Sequence, residues 1–217
     1  MVKTASKLTL VGTVHLDPGG FNRLLDLLDN ERPKVITVEV SPYAVKFRRE
    51  NSARYQQLIE AFKRPDGRLP PALAAVAAQL DVPFEFRAAT AYAEKMGAKV
   101  YRIGDSHESR LLLELLEREL MATDNLLTLA LRDEPPLSQL IKKEWARARA
   151  GYLQDSVVGT DAQHRLVKRN GRLARKIRTA AQKVKGIVVH VGGWEHLHGL
   201  SEMLSDLKPE VMLLNPK

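Results

Sequence analysis

Two segments near opposite ends of the chain each place a histidine three residues after a glycine, at what reads as the end of a strand. They are Gly12-Thr13-Val14-His15 and Gly193-Trp194-Glu195-His196. A third residue stands out between them. Glu39 is flanked by Val38 and Val40 in an apolar run, where a carboxylate costs several kcal/mol to bury unless it is paired or bound. Two imidazoles and a carboxylate are a sufficient ligand set for a divalent metal with an open position for water. The expected ligands are His15, Glu39 and His196, for an ion of the Mn, Co or Zn type. Without metal, a histidine beside a glutamate can itself act as general base on water. The chain has no cysteine, so any metal rests on His, Asp or Glu, and disulfides are excluded.

Other residues could assist. Asp105, followed closely by His107, ends another strand-like run, and Glu195 lies inside the second Gly-x-x-His motif. Arg169 falls three residues after Leu166 and four before Leu173, on the apolar stripe of a helix. There it could meet an anion, a substrate carbonyl or Glu39. Each residue also has a plainer reading. Glu39 can be half of a structural ion pair, His15 a satisfied loop histidine and His190 a core histidine, while Arg169 can lay its stem on the core with its head in water. His198 can face either way.

The elements that must position these groups follow from hydrophobic periodicity. Residues 7–15, 34–41, 98–104 and 187–191 read as strands, with a last one at 211–214. The run Leu8, Leu10, Val11, Val14 is too continuous for a half-exposed strand and suits a central parallel one. Phe21, Leu24, Leu25, Leu27 and Leu28 have the spacing of a helix face packed on a sheet. The spacing predicts further helices from Asp81-Val82-Pro83 to Met96, over 107–132, on to about Arg149, from a Thr160-x-x-Gln163 capping pattern to about Val184, and over 195–206. The fold class is α/β: a three-layer α/β/α domain with a central, mostly parallel sheet of about five strands. The whole chain, 1–217, reads as one domain carrying helical insertions at about 43–82 and 107–159. In an open parallel sheet, sites form at the carboxyl ends of the strands. The two Gly-x-x-His ends are therefore expected to meet.

Composition narrows the function. The net charge of +8 is concentrated: residues 142–185 carry net +10 and the remainder −2. That segment is either a solvated helix face or an attraction for nucleic acid or another polyanion. There is no Walker loop, no Gly-x-Gly-x-x-Gly and no Gly-x-Ser-x-Gly, which disfavours nucleotide chemistry and a serine nucleophile. No run of about 20 apolar residues exists for a membrane span, and the first residues lack the apolar core of a signal peptide. A cytoplasmic protein is expected, with a homo-oligomer left open.

The motifs resemble those of the TraB/PrgY group, related to the TIKI peptidases, the ChaN haem-binding lipoproteins and the erythromycin esterases. The resembling pieces are Val11-Gly12-Thr13-Val14-His15, Val38-Glu39, Glu85-Phe86-Arg87-x-Ala89, Gly104-Asp105, Arg169-Asn170 and Gly193-x-x-His196-Leu197-x-Gly199-Leu200. They fall in the group's order across nearly the whole chain. The resemblance implies a three-layer α/β/α fold whose site is built from the two Gly-x-x-His motifs and Glu39. It implies metal-dependent peptide cleavage in one branch, metal-free lactone hydrolysis in another and haem binding in a third. The chain departs from the group at Ser106, where an arginine often follows the aspartate, and at Trp194-Glu195, where small residues are usual. Trp194 is expected to narrow the mouth. The resulting expectation is a hydrolase of peptide or ester bonds. Its catalytic candidates are His15, Glu39, Asp105, Arg169, Glu195 and His196, and its substrate contacts Gly12, Thr13, Glu85, His190, Gly193 and Trp194. The alternatives are a binding protein for haem or an anionic ligand, with His190 and His198 as further candidates, and a polyanion binder.

Overall fold

The computed structural model describes residues 7–153 and 160–215, the side chains of 160–162 excepted. The elements run β1 (Lys7–Thr13), α1 (Gly20–Glu31), β2 (Val35–Val38), α2 (Pro42–Glu60), α3 (Pro71–Leu80), α4 (Phe84–Met96), β3 (Lys99–Arg102), α5 (Ser106–Leu115), α6 (Thr123–Ala130), α7 (Leu137–Gly151), α8 (Thr160–Gln182), β4 (Ile187–Gly193), α9 (Leu197–Met203) and β5 (Glu210–Leu213). The five strands form one parallel sheet in the order β3-β2-β4-β1-β5, flanked by helices.

The chain divides into two compact units. Met1–Glu39, Phe84–Gly104 and Glu144–Lys217 make the first, which holds the sheet. Val40–Pro83 and Asp105–Lys143 make the second, which is helical.

In the first unit, connection handedness sorts the helices. The steps β1 to β2 to β3 move across the sheet one way, and β3 to β4 to β5 move back. With right-handed crossovers the reversal puts α1 and α4 on one face and α8 and α9 on the other. Leu8, Leu10, Val35 and Val188 accordingly share a core with Leu173, Ala174, Ile177, Ala180 and Ala181 of α8 and with Leu197 and Leu200 of α9. The alternate residues face α1 and α4. Gly20 lets α1 close on α4: a Cβ there would stand 2.4 Å from Phe84 Cζ. Adjacent β1 and β4 send their connections in opposite directions, which opens a crevice at their carboxyl ends. Register pairs Gly12 with Gly192 and Thr13 with Gly193 at that crevice.

In the second unit, α2 opens on Ser41, whose hydroxyl accepts from the Ala44 N–H at 2.9 Å, with Pro42 in the first turn. Tyr55, Ile59, Leu73 and Leu126 are its largest fully buried side chains.

Several expectations change at element ends. The second strand stops at Val38 rather than Ser41, and the first at Thr13 rather than His15. Glu39 and His15 therefore stand just beyond the ladder. The helix expected over 107–132 is interrupted. Residues 116–120 widen into a π turn, with Met121 N–H donating to Leu116 O at 3.2 Å, and α6 starts afresh at Thr123. Asn125 Nδ2 donates to the Glu119 carbonyl at 2.5 Å, serving a group the break releases. The stretch expected as one helix over 195–206 is a 3-10 turn (Trp194–His196), then α9, then a second such turn (Ser205–Leu207). The Thr160 capping pattern rests on a side chain outside the described residues.

Candidate active site

Glu39 lies one residue past β2, yet its N–H still donates to Val191 O at 2.9 Å, so it continues the line of the strand. It shares the face of Val35 and Thr37, the face covered by α8. Its Oε1 stands 2.8 Å from Arg169 Nε and 3.1 Å from His196 Nε2, and its Oε2 accepts from the Gly193 N–H at 3.2 Å. The Glu39 and His196 side chains are each 3% exposed, while Arg169 is 51% exposed. Burial alone would raise the Glu39 pKa. The hydrogen bond and charge of His196, with the guanidinium of Arg169, outweigh it and hold the carboxyl down at about 2. The other nitrogen of His196, Nδ1, is 2.5 Å from Oδ1 of the buried Asn170. An oxygen therefore stands at each nitrogen of the ring.

His15 is built from the opposite face. Its Nδ1–H donates to Glu85 Oε1 at 2.7 Å, and the Thr13 hydroxyl lies 2.8 Å from the same oxygen and 3.1 Å from the Gly192 carbonyl. Glu85 comes from the first turn of α4 and is buried. The His15 side chain is 57% exposed, so solvent reaches the ring and screens it. Desolvation opposes its charge, but the Glu85 carboxylate in contact, with Glu39 and Glu195 beyond, raises its pKa to about 9. The carboxylate fixes the ring and leaves Nε2 facing the crevice.

Gly192 and Gly193 join the two halves. A Cβ on Gly192 would stand 2.7 Å from Glu39 Oε2 and 3.1 Å from His190 Nε2. One on Gly193 would stand 3.1 Å from His15 Nε2 and 3.6 Å from His196 Cδ2. The rings of His15 and His196 thus converge on one glycine, where a Cβ would press on the His15 ring and only touch that of His196.

The remaining candidates divide. His190 is 1% exposed inside β4, with Nδ1 3.0 Å from the Thr37 hydroxyl; burial pushes its pKa down to about 4, so it is a neutral core group beside Glu39 rather than a substrate contact. Trp194 does not narrow a mouth: its ring is buried, its indole N–H donates to Glu144 Oε1 at 2.8 Å, and it ties β4 to the second half of α7. Gly12 serves packing, since a Cβ there would lie 2.4 Å from Leu197 Cδ1. Thr13 and Glu85 orient His15. Asp105 belongs to the second unit and caps α5, accepting from the His107 and Glu108 N–H groups at 2.9 and 3.0 Å. Glu195 is exposed, and His198 Nε2 stands 3.7 Å from Glu202 Oε1. Asn170 entered the sequence analysis only as part of the resembling Arg169-Asn170 pair, with no site role. Its signal was available: it stands four residues after Leu166 and three before Leu173, a polar group on the apolar stripe.

Of the expected metal ligands, Glu39 and His196 are in contact and His15 lies across Gly193, engaged by Glu85. Among the described residues no three His, Asp or Glu side chains converge as a metal site. Among those residues, too, no helix is long and apolar enough to cross a membrane. No family model, curated protein or solved structure matches the chain.

Proposed function

We propose that the chain is a hydrolase of peptide or ester bonds, with His15 as its proton donor. The observation that carries this reading is the His15–Glu85 pair, 2.7 Å apart at the rim of the crevice, facing a buried and ionised Glu39 across Gly193. With its pKa near 9, His15 enters the reaction protonated at neutral pH. Its Nε2–H donates to a developing oxyanion or to the leaving group, a role worth about 10²–10⁴ in rate. Arg169, half-exposed and anchored on Glu39, brings a second positive charge to the mouth. Glu39 orients the attacking water, but a carboxylate with a pKa near 2 is a weak base. A divalent ion of the Mn, Co or Zn type, held by Glu39 and His196, would supply the missing activation of water. The described side chains do not form a three-ligand set, so that version is an arm of the test and not a step of the mechanism. The kinship with the TraB/PrgY group belongs to the same proposal.

The test is a panel of nitrophenyl esters and fluorogenic peptides, run on the wild type, His15→Gln and Glu85→Gln. Each is measured as purified, after EDTA, and after adding back Mn, Co or Zn. Turnover that falls in both variants supports the reading, and loss in EDTA with recovery on metal selects the metal version. No turnover by the wild type under any of these conditions sinks it.

A further inference from the structure

The second unit carries a surface that the chemistry of His15 and Glu39 does not use. Five of the eleven exposed large apolar side chains among the described residues fall in one short stretch: Leu111, Leu112, Leu115, Leu127 and Leu131. Exposed leucines scattered singly are ordinary, whereas a contiguous patch marks an interaction surface. Spacing makes this patch contiguous. Leu111 and Leu115 are four apart on α5, and Leu127 and Leu131 are four apart on α6 and its C-cap, so each pair shares a stripe.

The two stripes border one cleft. It measures about 430 Å³, and Leu112, Leu115, Leu116, Leu120 and Leu129 line it. The break in the helix creates it. Residues 116–120 widen into a π turn and α6 starts afresh at Thr123, so two helices flank a gap where one unbroken helix would present only a convex face. Leu127 and Leu131 stand one position before Thr128 and Arg132, which also line the cleft, so the α6 stripe runs along its flank. Leu131 is 79% exposed, a knob beside a hole.

Two features of the patch select its occupant. Its large apolar side chains are all leucine, the composition of a domain core cut in half, as in homodimer interfaces. Its charges are balanced: from Arg110 to Arg132 there are three arginines and four acids, and Glu119 and Arg132 edge the cleft itself. A surface that meets its own copy needs both signs, since a rim of one sign repels its duplicate. An anionic bilayer calls for a basic rim, and a basic amphipathic helix for an acidic one. Arg118 holds Glu119 at 2.9 Å, but both are largely exposed, and a pair of that kind is given up at little cost. Knob and hole also lie side by side on one face, which is what a two-fold contact requires.

We infer that the α5–α6 face of the second unit binds a second copy of the chain through a two-fold contact, with Leu131 of each copy seated in the leucine cleft of the other. The interaction does not depend on the hydrolase reading and holds whether or not the chain cleaves a bond.

The experiment is sedimentation velocity of the full chain at about 50 µM, above the micromolar limit at which interfaces of standard size still associate. The wild type is expected to sediment as a dimer. Leu131→Glu and Leu112→Glu are each expected to sediment as monomers with unchanged circular dichroism, because both positions are exposed and a charge there leaves the fold intact. The chain has no cysteine, so single cysteines report contacts between copies. An oxidised mixture of Leu131→Cys and Leu112→Cys should give more cross-linked dimer than either variant alone. A monomeric wild type overturns the inference, as does a dimer that survives both glutamate substitutions. Growth past the dimer with rising concentration overturns the two-fold contact, because a contact that does not close builds filaments. A monomer that instead co-sediments with phosphatidylcholine vesicles also overturns it and assigns the patch to a lipid surface.

Discussion

Glu39 and His196 meet at 3.1 Å with both side chains 3% exposed, one from just past the second strand and the other from the turn after the fourth. A buried pair of this kind contributes little net stability when intact and costs heavily when one partner is removed, because the other charge is stranded. Glu39→Gln removes the carboxylate that the buried His196 ring faces and the anchor of Arg169. The expected loss is about 3 kcal/mol, read as a lower urea midpoint at unchanged slope. The Glu39 pKa is depressed, so its contribution is present above about pH 4.5 and is lost as the pH falls through about 2. An unchanged midpoint in Glu39→Gln would remove the network from the account of stability.

His15 is governed by the opposite sign. Its folded pKa is raised, so the charged pair with Glu85 is complete below about 6.5 and fades as the pH rises through about 9. The side chain is largely exposed, so the effect on stability is small. Activity carries the signal instead: kcat holds up to about pH 9 and declines above it. Glu85→Gln moves that decline toward pH 6.5. Titration of the His15 Cε1 proton by NMR checks the assignment independently of any substrate, and a midpoint near 6.5 in the wild type would contradict it.

Two glycines separate packing from chemistry. Gly12→Ala drives a methyl to within 2.4 Å of Leu197 Cδ1 and 3.0 Å of the Trp194 backbone, and it should destabilise by about 1–3 kcal/mol. Gly193→Ala meets the His15 ring at 3.1 Å, and that largely exposed ring can give way toward solvent at the cost of its bond to Glu85. The melting temperature of Gly193→Ala should stay close to wild type while kcat falls at least tenfold. Matching losses of stability in the two variants would show that Gly193 is a packing glycine as well.

His190 sets a further pH window. Burial depresses its pKa to about 4, so the unfolded chain takes up a proton below about 6.5 that the folded chain refuses until about 4. Stability should fall across that interval. In His190→Gln the slope between pH 6.5 and 4 should flatten, measured as urea midpoints at several pH values. An identical slope would mean that His190 takes its proton without cost.

Much of the fold was legible because its signals are local. The continuous apolar run at Leu8–Val14, the helical spacing from Phe21 to Leu28 and the polar punctuation between them yield a strand, a helix and a strand, and handedness does the rest. The break at Met121–Ala122 was not legible. Neither glycine nor proline marks it, and the widened turn at 116–120 is held by a bond from the Asn125 amide, which periodicity does not record. The ends of the first two strands were also misjudged, because a ladder ends where its partner ends and not where the apolar run does.

By itself the sequence determined that His15, Glu39, Arg169 and His196 would stand at element ends or on an inward stripe, since strand and helix periods fix which way a side chain points. It could not decide which of these groups would touch. Glu39 and His196 are partners because β2 and β4 are neighbours in the sheet, and His15 is paired with Glu85 because α4 covers the face that Thr13 points toward. Pairing between distant segments depends on strand order and on which face each helix covers, and both are settled only when the whole core closes. The same closure turned Trp194 inward and brought the two histidines onto opposite sides of Gly193.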